Sequence, residues 1–565
     1  MASVQKTLSE HYSTGSLQAF TTPVESAESQ ASRPMHYLKF LQHIEQLYLE
    51  LDRFPIRVQR VYVYTIIQGG LGDFAAAAKI INEIFRKHPK LQFVWGYNNT
   101  YLLEKNQLQF TPPPPFFSYF LHEQSRSNVT IIDLDKESPP PDLLSTHLLI
   151  CGPVQCSINT AHLCAKLAIN LQGPRWDFCE NSIEKTSHLE NIKNSCLDNP
   201  TWSLHTRYSY LFPSHSSIKN TVRSMGLTPG TGILIDESRK QASLHIDRLS
   251  SLQNLQNPIL KNKIYTTLHC EDTDSYPDSD QYSIYFGYAH YIESWQNFII
   301  CAAREKQRSL LLLLNQHGIQ ATTEKTEEIY CKYPVRFFND IILGNELKRF
   351  LHTHGYQTIR VIDITTDTIA ETTLGSGREL TILLYEYLDP DDIKCLQLAA
   401  DGYLCTGDHS AGEAISAAGG KTPLYIYEPW AHKNRFYKEQ LRIARECSLQ
   451  LEAFLTICTD HTSDLTERMT KILPFLEDPL LAEATHRFCT CIRTNYSFNS
   501  IALGSIARAL WHFQHKYLIE AEISSLTKES KQKLLKFPLL PDQDPTFDIN
   551  SDSLRGDIQA ITSAT

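Results

Sequence analysis

Two glycine turns hold the residues of this 565-residue chain whose types and spacing suit chemistry. In the later one, Gly407-Asp408-His409-Ser410, an apolar strand runs into the small-residue stretch 411–418. A helix beginning after Ser410 aims free backbone N–H groups and its positive dipole end at an anion. Ser410 adds a hydroxyl donor, His409 a charge when protonated, and Glu413 a carboxylate suited to accepting hydroxyls. Helix capping by Gly-Asp-x-Ser and a solvated Glu413 stay open as alternatives. The earlier turn is Gln68-Gly69-Gly70-Leu71-Gly72-Asp73. It sets the Asp73 carboxylate at a strand's end, placed to orient or deprotonate a nucleophile. Asp73 as N-cap of the helix from Phe74 is the other reading.

Each turn needs a strand before it and a helix after it. Residues 402–405 form a short apolar strand, residues 411–418 a helix that Gly419-Gly420 stops, and residues 424–427 a second strand. Upstream, the β-branched and aromatic run 61–67 reads as a buried strand, 75–87 as a helix and 91–95 as the next strand. Further strands are expected at 129–134, 147–151, 282–287, 309–314, 358–363 and 379–385, with helices at 36–52 and 294–304. Little is assigned between 174 and 221. Strands alternating with helices imply parallel sheets whose ligands sit at the carboxyl ends of the strands.

The chain is too long for one ordinary core. The expected order is a mobile segment 1–35, an α/β domain 36–260, a polar interdomain connection 261–280 and a second α/β domain 281–436. A helical region 437–540 and a tail 541–565 follow; Leu441, Ile443, Ala444 and Cys447, and further on Ile501, Ile506, Leu510 and Phe513, repeat at helical spacing, a face either to bury on the first domain or to offer a partner as a separate module.

A net charge of −10 argues against a general nucleic-acid binder. No run approaches the roughly 18 apolar residues of a membrane span. Residues 1–33 are polar, unlike a signal peptide, so the expected location is the cytoplasm, or outside it by export without a cleaved leader. The 14 cysteines are scattered and expected to be reduced; Cys489-Thr490-Cys491 lacks a second pair for zinc.

Two α/β domains with a glycine turn in each resemble a GT-B glycosyltransferase in outline, and the resemblance implies two Rossmann-like domains facing a cleft. The turn at 407–410, with Gly420-Lys421-Thr422-Pro423 and the aromatic strand Tyr425-Ile426-Tyr427, resembles the donor site of that fold. The nearest pattern is the Gly-Glu-Asp-Ser turn of bacterial protein-arginine rhamnosyltransferases, whose first domain carries a Gly-Asp similar to Gly72-Asp73. There the resemblance implies a catalytic base at Asp73. The turn also looks like the nucleotide-sugar clamp of undecaprenyl-linked N-acetylglucosaminyltransferases, where a helix glutamate holds the ribose, as Glu413 would. Asp408-His409 departs from Glu-Asp, so the diphosphate contacts differ.

The resemblance implies a donor site at Gly407, Asp408, His409, Ser410, Glu413, Tyr425 and Tyr427, with Gly69, Gly70 and Gly72 in the acceptor-side loop. Stacking on a base and core packing both stay open for Tyr425, Tyr427 and Trp430. Tyr288 and His290 fall on the second domain's first loop, and Lys433 and Arg435 are further diphosphate candidates or surface charges. With no Asp-x-Asp motif, neither a metal nor a resident cofactor is expected, and a nucleotide-diphosphate sugar is the co-substrate. The acceptor, a protein among the candidates, is left open. Two other readings stand beside transfer: a nucleotide-sugar epimerase, and a non-catalytic binding protein or host-directed bacterial effector on the same frame.

Overall fold

The computed structural model describes residues 60–66, 72–98, 120–134, 136–137, 148–151, 175–180, 220–227, 232–245, 249–270, 281–305, 307–321, 328–373, 375–419, 423–430, 433–499 and 502–503. They form two compact Rossmann-like α/β units, the fold class expected. Of the described residues, one unit holds those from Arg60 to Leu234 and those from Asn495 to Leu503; the other is Ile235–Thr494.

In the first unit, β1 (Arg60–Ile66), β2 (Gln92–Asn98), β3 (Val129–Asp133), β4 (Leu148–Cys151), β5 (Arg175–Glu180) and β6 (Asn220–Met225) form one sheet. Its order is β3-β2-β1-β4-β5-β6, and each adjacent pair is parallel. Val61, Tyr62 and Val63 are fully buried, which is why β1 shows no polar alternation. Helix α1 (Gly72–Lys87) links β1 to β2. Its Phe74 ring lies 5.1 Å from Trp95 and 5.2 Å from Tyr97. Strands β5 and β6, RWDFCE and NTVRSM, mix charged and polar residues into the run, so hydrophobic patterning gave no signal there.

The second unit opens with α2 (Glu237–His245) and α3 (Pro258–Thr267), then β7 (Tyr282–Gly287), α4 (Ile292–Ala302) and β8 (Ser309–Asn315). The hairpin β9 (His317–Ala321) and β10 (Glu328–Lys332) follows, then α5 (Gly344–Thr353), β11 (Tyr356–Asp363), β12 (Ile369–Thr373) and β13 (Arg378–Tyr385). Next come α6 (Pro390–Ala399), β14 (Gly402–Thr406), α7 (Asp408–Ala417) and β15 (Leu424–Glu428). The sheet runs β12-β11-β13-β8-β7-β14-β15, parallel except for the edge strand β12. The five leucines 310–314 are fully buried, as a central strand covered on both faces requires.

The chain passes between units at Leu234/Ile235, earlier than the expected connection at 261–280. Hydrogen bonding holds the intervening stretch on the second unit. Ser251 Oγ donates to the Cys395 carbonyl (2.9 Å), and Asp392 accepts from the Gln256 and Asn257 N–H groups (2.6 and 3.2 Å). Helix α3 covers the start of the expected connection, its first N–H groups accepted by the Asn257 side chain.

Helices α8 (Asn434–Cys447), α9 (Leu449–Cys458), α10 (Leu465–Leu476) and α11 (Pro479–Asn495) follow β15. Through residue 494 they belong to the second unit, where the Phe488 ring packs 5.6 Å from Tyr425 and Arg468 donates to Asn297 Oδ1 (2.8 Å). The chain then rejoins the first unit. Ile233 N–H donates to the Tyr496 carbonyl and Phe498 N–H to the Ile233 carbonyl, both at 2.8 Å. Phe498, Ala502 and Leu503 complete the core around Val61, Phe74 and Trp95. The expected helical face through Ile506, Leu510 and Phe513 lies outside the described residues, as does the segment 1–35. Among the described residues no helix is long and apolar enough to cross a membrane.

Candidate functional site

Strand order in the second unit reverses between β7 and β14: the chain builds outward from β7 through β8 on one side and through β14 and β15 on the other. Ligands of such sheets bind beyond the carboxyl ends of the strands at this switch point. The loop 288–291 after β7, the turn after β14 and the end of β15 meet there.

The turn is one residue, Gly407, with φ 81° and ψ 157°, a region open in practice to glycine alone. Helix α7 therefore begins at Asp408, a turn earlier than the sequence implied, and Asp408, His409 and Ser410 form its first turn. Their N–H groups are the ones an α-helix leaves without intrahelical carbonyls. Asp408 is 8 % exposed; its Oδ1 accepts from Lys433 Nζ at 2.9 Å, and its Oδ2 meets no donor among the described residues. The Ser410 hydroxyl donates back to the Thr406 and Gly407 carbonyls, so its proton is turned inward and not toward a ligand. Glu413 Oε1 accepts from Arg239 Nη1 at 2.7 Å and lies 3.0 Å from His409 Nε2. The ribose-binding carboxylate of the sequence reading is thus held in an ion-pair cluster. Burial works against the Arg239 charge, but Glu413 and Asp236 outweigh it and hold its pKa above the usual arginine value.

Tyr425 and Tyr427 are 1 % and 2 % exposed and do not reach a ligand. Tyr425 donates its hydroxyl to Gln440 Oε1 (2.9 Å), and the Tyr427 ring packs on Phe436 and Tyr437. A parallel-sheet strand is buried on both faces, so alternation offers no ligand face. The aromatics of the edge lie elsewhere. Tyr288, 40 % exposed, has its ring 5.0 Å from that of His290, and the Trp430 ring is also 5.0 Å from His290.

Two residues without a sequence signal fix that loop. Asn315 ends β8, and its amide accepts from Ala289 N–H (3.0 Å) and donates to the Ala289 carbonyl (2.7 Å). Glu428 ends β15; its carboxylate accepts from the N–H groups of His290 and Tyr291 at 2.9 Å each, at the start of α4. Burial raises the Glu428 pKa to about 7 against the pull of those N–H groups, and burial lowers His290 to about 4. Only the motif-less end of a strand, Tyr427-Glu428-Pro429, marks Glu428 in the sequence.

On the first unit, Gly72 opens α1, and Asp73 is the helix's second residue. The Asp73 side chain, Gly69 and Gly70 lie outside the described residues. Among the described residues no three His, Cys, Asp or Glu side chains are grouped to hold a metal.

No protein-family model matches the sequence, and no curated protein matches it. Solved structures resemble it. A glycosyltransferase from Rickettsia africae ESF-5 is 9 % identical, with 83 % of this chain and 100 % of that chain covered and a TM-score of 0.34. A ugt transferase from Siraitia grosvenorii in complex with UDP is 10 % identical, with coverage of 80 % and 100 % and a TM-score of 0.37. A structure of EarP-mediated arginine glycosylation of translation elongation factor EF-P is 12 % identical, covering 61 % of this chain and 99 % of that one, with a TM-score of 0.29.

Proposed function

We propose that the chain is a metal-independent glycosyltransferase that takes a nucleotide-diphosphate sugar on its second unit, beside Gly407. One observation carries this: at the sheet's switch point, the first turn of α7 and the Lys433 ammonium stand together, with Asp408 between them. The leaving diphosphate draws on those N–H groups and on Lys433, which exchanges Asp408 for phosphate oxygen. The freed Asp408 carboxylate accepts hydroxyls of the sugar or ribose. Tyr288 offers the aromatic face that Tyr425 and Tyr427 do not.

In the transfer step a bond forms from the acceptor atom to the anomeric carbon, the bond from that carbon to diphosphate oxygen breaks, and the acceptor's proton passes to the Asp73 carboxylate. The acceptor is a nucleophile such as a hydroxyl or a protein side chain. Asp73→Asn is expected to lower transfer about 10²–10⁴-fold while nucleotide affinity stays at the wild-type value. Equal loss of affinity would move Asp73 out of the base role.

Titration calorimetry with UDP, dTDP and GDP, in buffer with and without EDTA, tests the donor reading. Binding insensitive to EDTA, and unchanged in Ser410→Ala because that hydroxyl points inward, is expected. If none of the three binds, the donor site is abandoned. A second reading, binding without transfer, draws on the internal pairing of Ser410 and Glu413. Nucleotide binding with no hydrolysis of any nucleotide sugar would favour it.

A further inference from the structure

The loop 288–291 after β7 is held by every backbone N–H it has. Tyr288 N–H donates to the Leu404 carbonyl (2.8 Å) and Ala289 N–H to Asn315 Oδ1 (3.0 Å). The N–H groups of His290 and Tyr291 both donate to the Glu428 carboxylate, at 2.9 Å each. Asn315 donates in turn to the Ala289 and His317 carbonyls, at 2.7 and 2.8 Å. The two holders are strand ends on either side of β7, Asn315 on β8 and Glu428 on β15, and each is 1 % exposed.

Glu428 stands at the start of α4, so a phosphate approaching that helix meets a carboxylate where it would seek donors. The first turn of α7 is the helix start that suits a diphosphate at this switch point. With its N–H groups engaged, the loop 288–291 has side chains to offer, and Tyr288, 40 % exposed, is the most open of the four. Stability does not account for Glu428. Burial holds its pKa at about 7, above the unfolded value, so ionising it takes stability away as pH rises through that range. A buried carboxylate kept on those terms points to a use in the site.

We infer that Glu428 is a positioning residue for the donor's nucleobase: by fixing the loop 288–291 it holds the Tyr288 ring as the face on which the base stacks, and it turns the diphosphate from α4 toward α7. The inference rests on the donor reading, which supplies the diphosphate at α7. A ring carried on a loop already fixed needs little further ordering when the ligand arrives. Its face serves any base, since every base has a π-face to stack.

Tyr288→Ala, Glu428→Gln and the double variant test this at pH 8, titrated with inorganic pyrophosphate and with whichever of UDP, dTDP and GDP binds the wild type tightest. Each single variant is expected to weaken nucleotide binding about 10-fold, and the double variant no further than Tyr288→Ala alone. Pyrophosphate affinity is expected to keep its wild-type value throughout, whereas a merely structural Glu428 would lower both ligands alike. Wild-type nucleotide affinity in either single variant, a parallel loss of pyrophosphate in Glu428→Gln, or multiplying losses would overturn the inference. Where a thermal melt shows Glu428→Gln unfolded, Glu428→Asp, which keeps the carboxylate and shortens its reach, replaces it under the same criteria. A wild-type chain that binds pyrophosphate as tightly as every nucleotide overturns this inference and leaves the donor reading standing. One that binds none of the four ligands ends the donor reading, and this inference with it.

Discussion

Glu428 and His290 are neighbours whose burial has opposite consequences for stability. An unfolded glutamate titrates near 4.3 and an unfolded histidine near 6.5. Glu428 is held at about 7, so between about pH 4.3 and 7 the folded chain binds the extra proton, and stability falls as pH rises. His290 is held at about 4, so between about pH 4 and 6.5 the unfolded chain binds the extra proton, and stability rises with pH. Each effect is on the order of 3 kcal/mol, and in the wild type they largely cancel. Glu428→Gln is expected to unmask the rising limb and His290→Asn the falling one, in urea midpoints measured from pH 4 to 8. Flat profiles in both variants would contradict the assignment. The sequence marks Asp408, His409, Ser410 and Glu413 through glycine and spacing, but not their partners. Lys433 lies 25 residues from Asp408 and Arg239 lies 174 from Glu413, distances at which no local pattern speaks.

Among elements, the β14–α7 turn depends on one backbone conformation. Among the described residues a Cβ on Gly407 would meet only Lys433 Nζ, at an ordinary 3.9 Å, so the obstacle they set to a side chain is φ and not space. Gly407→Ala is therefore expected to cost about 1–3 kcal/mol if the turn is kept. If the turn relaxes instead, stability stays and the first N–H groups of α7 are re-aimed. A melt and a nucleotide titration separate the two, and wild-type values in both would show the turn to be unstrained. Most strands were legible because runs such as Leu310–Leu314 belong to no other element of that length. The hairpin β9–β10 and edge strand β12 were not, since IAETT and HGIQA are short runs of mixed polarity. The helix start at Asp408 was misplaced because Asp and Ser favour caps, while the cap position was taken by glycine.

For the whole molecule, the first unit is discontinuous in sequence. Truncation after Thr494 removes Phe498, Ala502 and Leu503 from its core and leaves the second unit's residues intact. Loss of a buried phenylalanine alone costs about 3–5 kcal/mol. Two melting transitions are expected from such a fragment, one lowered and one at its former temperature, with nucleotide affinity retained. A single unshifted transition would mean that residues 495–503 carry no weight in the core.

The pairing of Ile233 with Ser497 also orders events in time. A ribosome emits the first unit's strands, then the whole of Ile235–Thr494, and only then the residues that close the first core. At about 5–20 residues per second that interval is on the order of tens of seconds. The nascent first sheet waits through it with apolar side chains uncovered around Val61 and Trp95, while the inserted unit already has every strand of its own. Synthesis thus reverses the apparent order of the chain: the second unit matures first, and the amino-terminal sheet, made earliest, is finished last.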